Sequence, residues 1–322
     1  MKTNQGGLNK KMDSRVRPGL QGVLREIWTN KFLYAMMLPG IAWFILFHYV
    51  PLYGIIVAFK KFSYKLGILG SPWAGLDNFK FLFNYHGVGR IFFNTIFLNV
   101  LFIASGTLCS VALALMFVEI RNKRYKKLVQ TIAIFPHFVS WAVVAMFLSG
   151  IIGGNGVIVK VLAALGAGNP DFYRNSEYWP LIFVFLKIWQ GAGYGTIVYV
   201  AVITGLDQGM YEAARIDGAS RWQQISRITL PLLKTTVIML TIMAIGKIFS
   251  GDFGMIYAII GDNPALFPHT DVVDTFVYRA LRQLNNLGMS VATGLFQSVV
   301  GFLLVIATNK LTKLIEPDAA IF

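Results

Sequence analysis

The sequence predicts an all-α integral membrane protein of six transmembrane helices, and three observations carry that prediction. Of 322 residues, 56% are hydrophobic and only 14% are charged, against about 25% charged in soluble domains. The mean hydropathy is +0.60. Six apolar stretches reach the roughly 20 residues needed to cross a hydrocarbon core of about 30 Å.

A basic segment, 1–31, comes first. The stretch 32–59 that follows is too long for a signal-peptide core of about 7–15 residues and lacks a small-residue cleavage site, so it is expected to stay as an anchor. A polar connection, 60–91, leads to the second stretch at 92–118 and the third at 128–152. Pro136, His137 and Trp141 read as marks of a kinked packing helix in the third, with ligand contact as the other reading. The fourth stretch is 180–205, the fifth 234–260 and the sixth 289–311. Gly251-Asp252-Phe253-Gly254 is expected to interrupt the fifth, as backbone can where it lines a cavity. The domain reading is an N-terminal arm 1–31, one transmembrane domain 32–311 containing a polar loop 207–231, and a tail 312–322.

The net charge of +14 would suggest nucleic acid in a soluble chain, but here the cations sit in the short segments between spans, so no nucleic-acid partner is expected. Seven lie in 1–31, five between the second and third spans, four in the 207–234 region (Arg215, Arg221, Arg227, Lys234), and Lys310 and Lys313 follow the last span. Those eighteen outnumber the nine on the opposite side, which places both termini and the polar loop in the cytoplasm. Lys60 and Lys61 flank the outer end of the first span and are expected to snorkel.

The single Cys109 lies inside a span, which leaves no disulfide framework, and the four histidines have no metal-ligand spacing. They read as structural. Gly246-Lys247 is followed by Ile248 and has Thr241 where a P-loop needs glycine, so no P-loop is present. Gly191, Gly193 and Gly195 lie inside a span and read as sites of close helix contact.

Charges near the bilayer centre cost about 2.5–3.5 kcal/mol on insertion scales, so Lys187, Lys247 and Asp252 should face the bundle interior. Lys187, Gln190, Gly191 and Tyr194 share one helical face; Ser290, Thr293, Gln297 and Gly301 share another; Lys247, Gly251 and Gly254 align on the fifth span. Lys187, Gln190, Tyr194, Lys247, Asp252, Thr293 and Gln297 are therefore candidates for lining a common substrate path. Interhelical hydrogen bonding that holds the bundle together is the other reading.

In the polar loop, Asp207 can cap a short helix whose first turn holds Glu212, Ala213 and Ala214 continue it, and Gly218 permits a tight bend. A second short helix is expected through about Arg227, closed by Pro231. The pattern Glu212-Ala213-Ala214, Asp217-Gly218, then Ile228-x-Leu230-Pro231 resembles the EAA loop of the membrane subunits of binding-protein-dependent ABC importers. Pro136-His137-Phe138-Val139-Ser140-Trp141, Gly193-Tyr194-Gly195-Thr196 and Gly294-Leu295-Phe296-Gln297-Ser298 resemble the carbohydrate-uptake, maltose-type members, as does the Gly75-Leu76-Asp77-Asn78-Phe79 segment. Ile225, where an aromatic is common, and Thr235, where proline often follows the lysine, depart from the pattern.

The resemblance implies a type I importer permease bundle in a bacterial cytoplasmic membrane. It would be a non-catalytic subunit paired with a second homologous permease, beside membrane lipid, two ATPase subunits and an extracytoplasmic solute-binding protein that delivers an oligosaccharide. ATP and Mg would be bound by the ATPases, with no cofactor on this chain, and Glu212, Ala213, Ala214, Asp217, Gly218, Leu230 and Pro231 would form the coupling surface. An ion-coupled secondary transporter of a small polar solute is the alternative; inverted repeats would favour it, and none is evident. No acid/base or nucleophile cluster suggests a membrane enzyme.

Overall fold

A computed structural model describes residues 28–84, 87–166 and 168–321. The basic arm 1–31 therefore falls almost wholly outside the described residues. The chain divides after Gly54 into two units.

In the first unit, helix α1 (Lys31–Phe44) passes through Pro39 and continues into a π turn at Ile45–Tyr49. Its apolar side chains, among them Phe32, Met36, Leu38 and Phe47, are exposed all round. A helix with no polar face is suited to lipid. His48 stacks on Phe44 with ring centroids 4.6 Å apart.

The second unit holds α2 (Gly67–Gly70), α3 (Asp77–Asn84), α4 (Val88–Glu119), α5 (Lys123–Ile134), α6 (Trp141–Ile152), α7 (Val157–Ala164) and α8 (Trp179–Thr204). After these come α9 (Gln208–Ile216), α10 (Arg221–Gln224), α11 (Leu230–Ile245), α12 (Phe253–Ile260), α13 (Phe267–Thr270), α14 (Val273–Leu284) and α15 (Leu287–Ile315). Among the described residues, six helical stretches are long and apolar enough to cross a membrane: Lys31–Phe59, Val88–Glu119, Trp141–Ala164, Ser176–Thr204, Arg221–Ile245 and Leu287–Leu314.

Two spans differ from expectation. The third is not 128–152, because Pro136 and a 3-10 turn at Phe135–Phe138 end α5, and Ser140 caps a new helix at Trp141. α5 is instead a separate amphipathic helix, capped by the Asn122 carboxamide and packed on α8. The fifth span starts earlier, at Arg221, and stops at Ile245; the interruption covers 246–252 before α12 resumes.

α4 and α8 make the most extensive helix pair, and α6 packs on α12. One core joins them: Leu98 and Phe102 from α4, Leu148 from α6, Trp179 and Phe183 from α8, and Met255 and Ile256 from α12. A smaller cluster, Ala114, Tyr199, Ile203 and Leu233, closes the other end where α11 joins α4 and α8. Gly193 permits a close crossing of α8 and α5, since a Cβ there would sit 1.9 Å from Ala133 O.

Lys60 does not snorkel. It is 5% exposed, and its ammonium donates to the carbonyls of Ile68 (2.8 Å) and Leu69 (2.9 Å). The last carbonyls of the one-turn helix α2 lack intrahelical donors, and the lysine supplies one at the cost of its own hydration. Asn78 secures the same knot by donating to Ala58 O and Lys60 O.

Candidate functional site

The polar loop folds as a braced helical hairpin. Asp207 caps α9 by accepting from Gly209 N at 2.9 Å, which puts Glu212 in the second turn rather than the first. At its end, Gly218 adopts φ 78°, Gly218 N donates to Arg215 O, and Ala219 N donates to Ala214 O. This six-to-one plus five-to-two pattern is a Schellman end, which needs a left-handed residue at the glycine position. No atom lies within 4 Å of a Cβ built there, so the requirement is one of backbone angle, not of space.

Ser220 and Gln223 then form a capping box that starts α10. The second helix does not close at Pro231. A π turn at Ile225–Thr229 carries it into α11, with Leu230 N donating to Ile225 O, so the wider turn absorbs the N–H that Pro231 lacks. Tyr211 and Thr229 join the two arms by a hydroxyl pair at 2.9 Å. Glu212, Ala213, Asp217 and Pro231 remain exposed and Ala214 half-buried, while Ile216 (87%) and Trp222 (71%) add large exposed apolar side chains. Leu230 is 37% exposed, beside Lys234 in an apolar groove between α4 and α11.

The second site surrounds the broken fifth segment. Backbone groups released by a break inside a bundle need partners, and three helices provide them. Asn99 on α4 donates to Ile248 O and Ser250 O, both at 3.1 Å. Gln297 on α15 donates to Phe249 O at 2.6 Å and to Asp274 at 3.2 Å. Asp274, on α14, accepts from Gly251 N. Gly251 cannot carry a side chain here, because a Cβ would meet Val272 Cγ2 at 2.6 Å. Burial pushes the Asp274 carboxyl above its usual range, and the Gly251 and Gln297 hydrogen bonds pull it part of the way back.

The break ends at Asp252, which caps α12 through Met255 N at 3.1 Å and pairs with Lys187 of α8 at 2.5 Å. Lys187, Lys247 and Asp252 line one cleft of about 410 Å³ with Asn99 and Ser250. Tyr194 lines a neighbouring cleft of about 320 Å³, and the two share Phe102, Ile103 and Ala244. The Tyr194 ring stacks on His137, centroids 4.0 Å apart and planes 8° from parallel.

The structure thus brings Lys187, Lys247 and Asp252 together and sets Tyr194 beside them. Gln190 turns away to donate to Val139 O at 3.0 Å, steadying the α5–α6 bend. Thr293 is fully buried and back-bonds to Met289 O, and Gln297 holds the break from behind. Sequence reasoning missed Asn99, an uncharged amide within an apolar span, and Asp274, which lay in a segment read as an outer loop. A carboxamide in an apolar run is the signal that could have found Asn99.

The chain is 36% identical to the polygalacturonan/rhamnogalacturonan transport system permease protein YteP of Bacillus subtilis (strain 168), over 90% of each chain. It is 33% identical to protein LplB of the same organism, covering 96% of this chain and 98% of that one. The fold matches a chain in the crystal structure of a bacterial ABC transporter involved in the import of the acidic polysaccharide alginate, with a TM-score of 0.82 and 34% identity. That match covers 91% of this chain and 99% of the other. A crystal structure of bacterial alginate ABC transporter in complex with alginate pentasaccharide-bound periplasmic protein matches at a TM-score of 0.81 and 34% identity, covering 91% and 98%. A family model matches residues 106–320, and the chain belongs to the family of binding-protein-dependent transport system inner membrane components.

Proposed function

We propose that this chain is one of two homologous membrane subunits of an ATP-driven importer, and that it conducts an oligosaccharide handed over by an external solute-binding protein. The observation that carries this reading is the braced hairpin 207–231: a rigid, capped pair of helices presenting Glu212, Ala213, Ile216 and Trp222 to a partner. Its second arm is continuous with the fifth span, so a push on the hairpin is transmitted as a rigid-body movement toward the cleft at the break. Two ATPase subunits, binding ATP and Mg, would supply that push. YteP is named for a polygalacturonan/rhamnogalacturonan transport system and the matching crystal structure is of a transporter involved in alginate import, which supports a saccharide as cargo here.

In this reading the chain sits in the bacterial cytoplasmic membrane as one domain, 32–311, with both termini, the tail 312–322 and the hairpin inside. Lys187, Lys247, Asp252 and Tyr194 face the path, while Gln190, Thr293 and Gln297 hold its walls. Single cysteines at 75, 170, 220 and 265 in a Cys109-free chain test the orientation; 265 is chosen because it is exposed whereas Thr270 in the same connection is buried. Positions 75, 170 and 265 should react with an impermeant thiol reagent in intact cells, and 220 only after permeabilisation. Labelling of 220 in intact cells would reverse the assignment.

A further inference from the structure

We propose that Lys247 is the carboxylate-reading residue of the cleft at the break, and that the saccharide it reads is acidic, a chain bearing uronate groups. This rests on the permease reading above and adds the charge of the substrate and the residue that selects it.

Of 29 Lys and Arg, Lys187 and Lys247 are the two that fall well inside the apolar stretches expected from the sequence, since Lys234 and Lys310 stand at the ends of theirs. The two differ in state. Lys187 is neutralised by Asp252, and Asp252 is held in place by its cap on α12. Lys247 stands in the turn just beyond α11, where its N–H donates to Ala244 O and its carbonyl accepts from Ser250 N. Its side chain is exposed to the cleft and enters no ion pair among the described residues. The other nearby carboxylate, Asp274, is engaged behind the break by Gly251 and Gln297.

The cleft therefore holds one neutralised pair beside one uncompensated ammonium. A lysine serving only the fold would pair with a carboxylate or reach the interface, because an unpaired charge in an apolar bundle is costly. At about 410 Å³ the cleft falls in the size range of a small-molecule site. Phe253 adds apolar ring surface to the cleft, and the Asn99 carboxamide oxygen and the Ser250 hydroxyl offer groups for substrate hydroxyls. A neutral sugar would strip water from Lys247 and return nothing, whereas a uronate carboxylate restores a charge-assisted hydrogen bond. Asp252 repels a second carboxylate from Lys187, which directs the substrate's charge to Lys247 and fixes its orientation.

The test uses membrane vesicles holding the complete transporter, with the solute-binding protein kept constant. Trigalacturonate and an alginate trisaccharide are each offered as free acid and as full methyl ester, and uptake of acid is divided by uptake of ester. Selectivity imposed by the binding protein cancels when the variant ratio is compared with wild type. Wild type should favour at least one acid over its ester. Lys247→Gln should lower that ratio about tenfold or more while the ester still enters, as expected from losing one charge-assisted hydrogen bond, and Lys247→Arg should restore it. A Lys247→Gln ratio equal to wild type overturns the inference, as does a wild type that prefers the ester. A wild type that carries none of the four probes, acid or ester, strikes instead at the saccharide reading on which the inference rests.

Discussion

Gln297 on the last span and Asp274 on the amphipathic helix before it meet at 3.2 Å directly over the broken fifth segment, where Gln297 also holds Phe249 O and Asp274 holds Gly251 N. Two side chains remote from the hairpin thus fix the position of Asp252, and through it Lys187.

This arrangement has a pH signature. The Asp274 carboxyl is raised in the folded state by burial, so the folded chain binds its proton more tightly than the unfolded one. Its contribution is fully present below the unfolded carboxylate's pKa and is lost as pH rises through the higher, folded value. Asp274→Asn keeps an acceptor for Gly251 N and removes the titration. The melting temperature of wild type relative to this variant should therefore fall between acid and neutral pH. A difference independent of pH would rule out the titration of Asp274 as its source.

The Lys187–Asp252 pair makes a second prediction. Asp252→Asn retains the α12 cap but leaves Lys187 unpaired, and should cost about 1–3 kcal/mol, discounted for a pair whose side chains are 35% and 23% exposed. Adding Lys187→Met removes the stranded charge and should recover most of that loss. Denaturation of the single and double variants checks the coupling. Strict additivity would mean that the pair contributes nothing.

Gly218 separates an angle requirement from a space requirement. Gly218→Asn should preserve assembly and transport, since asparagine tolerates φ near 78° and nothing crowds a Cβ there. Gly218→Val should cost roughly 1–3 kcal/mol locally, distort the hairpin and abolish transport while insertion stays normal. Equal uptake by the two variants would remove the Schellman end from the coupling account.

How much of this was legible in the sequence depends on the range of the forces involved. The six spans follow from hydropathy, and the interruption near Gly251-Asp252 from a charge and two glycines in an apolar run. The Gly218 bend needs only local backbone sterics, and it is where the pattern placed it. The third span moved because hydropathy does not distinguish the amphipathic α5 from the membrane helix after Pro136. Lys60 turned inward because the carbonyls it satisfies belong to a turn eight and nine residues away, a contact invisible to a rule based on its own neighbours. Asp274 and Asn99 act across 23 and about 150 residues, so only the packed bundle reveals them.

The most direct test of the account is uptake by vesicles carrying the assembled transporter, with ATP, ion gradients and the solute-binding protein varied independently. The expected result is accumulation of a labelled oligosaccharide that requires both ATP and the binding protein, survives collapse of the ion gradients, and disappears in Glu212→Lys although that chain inserts normally. Accumulation driven by an ion gradient without ATP, or undiminished in Glu212→Lys, would contradict it.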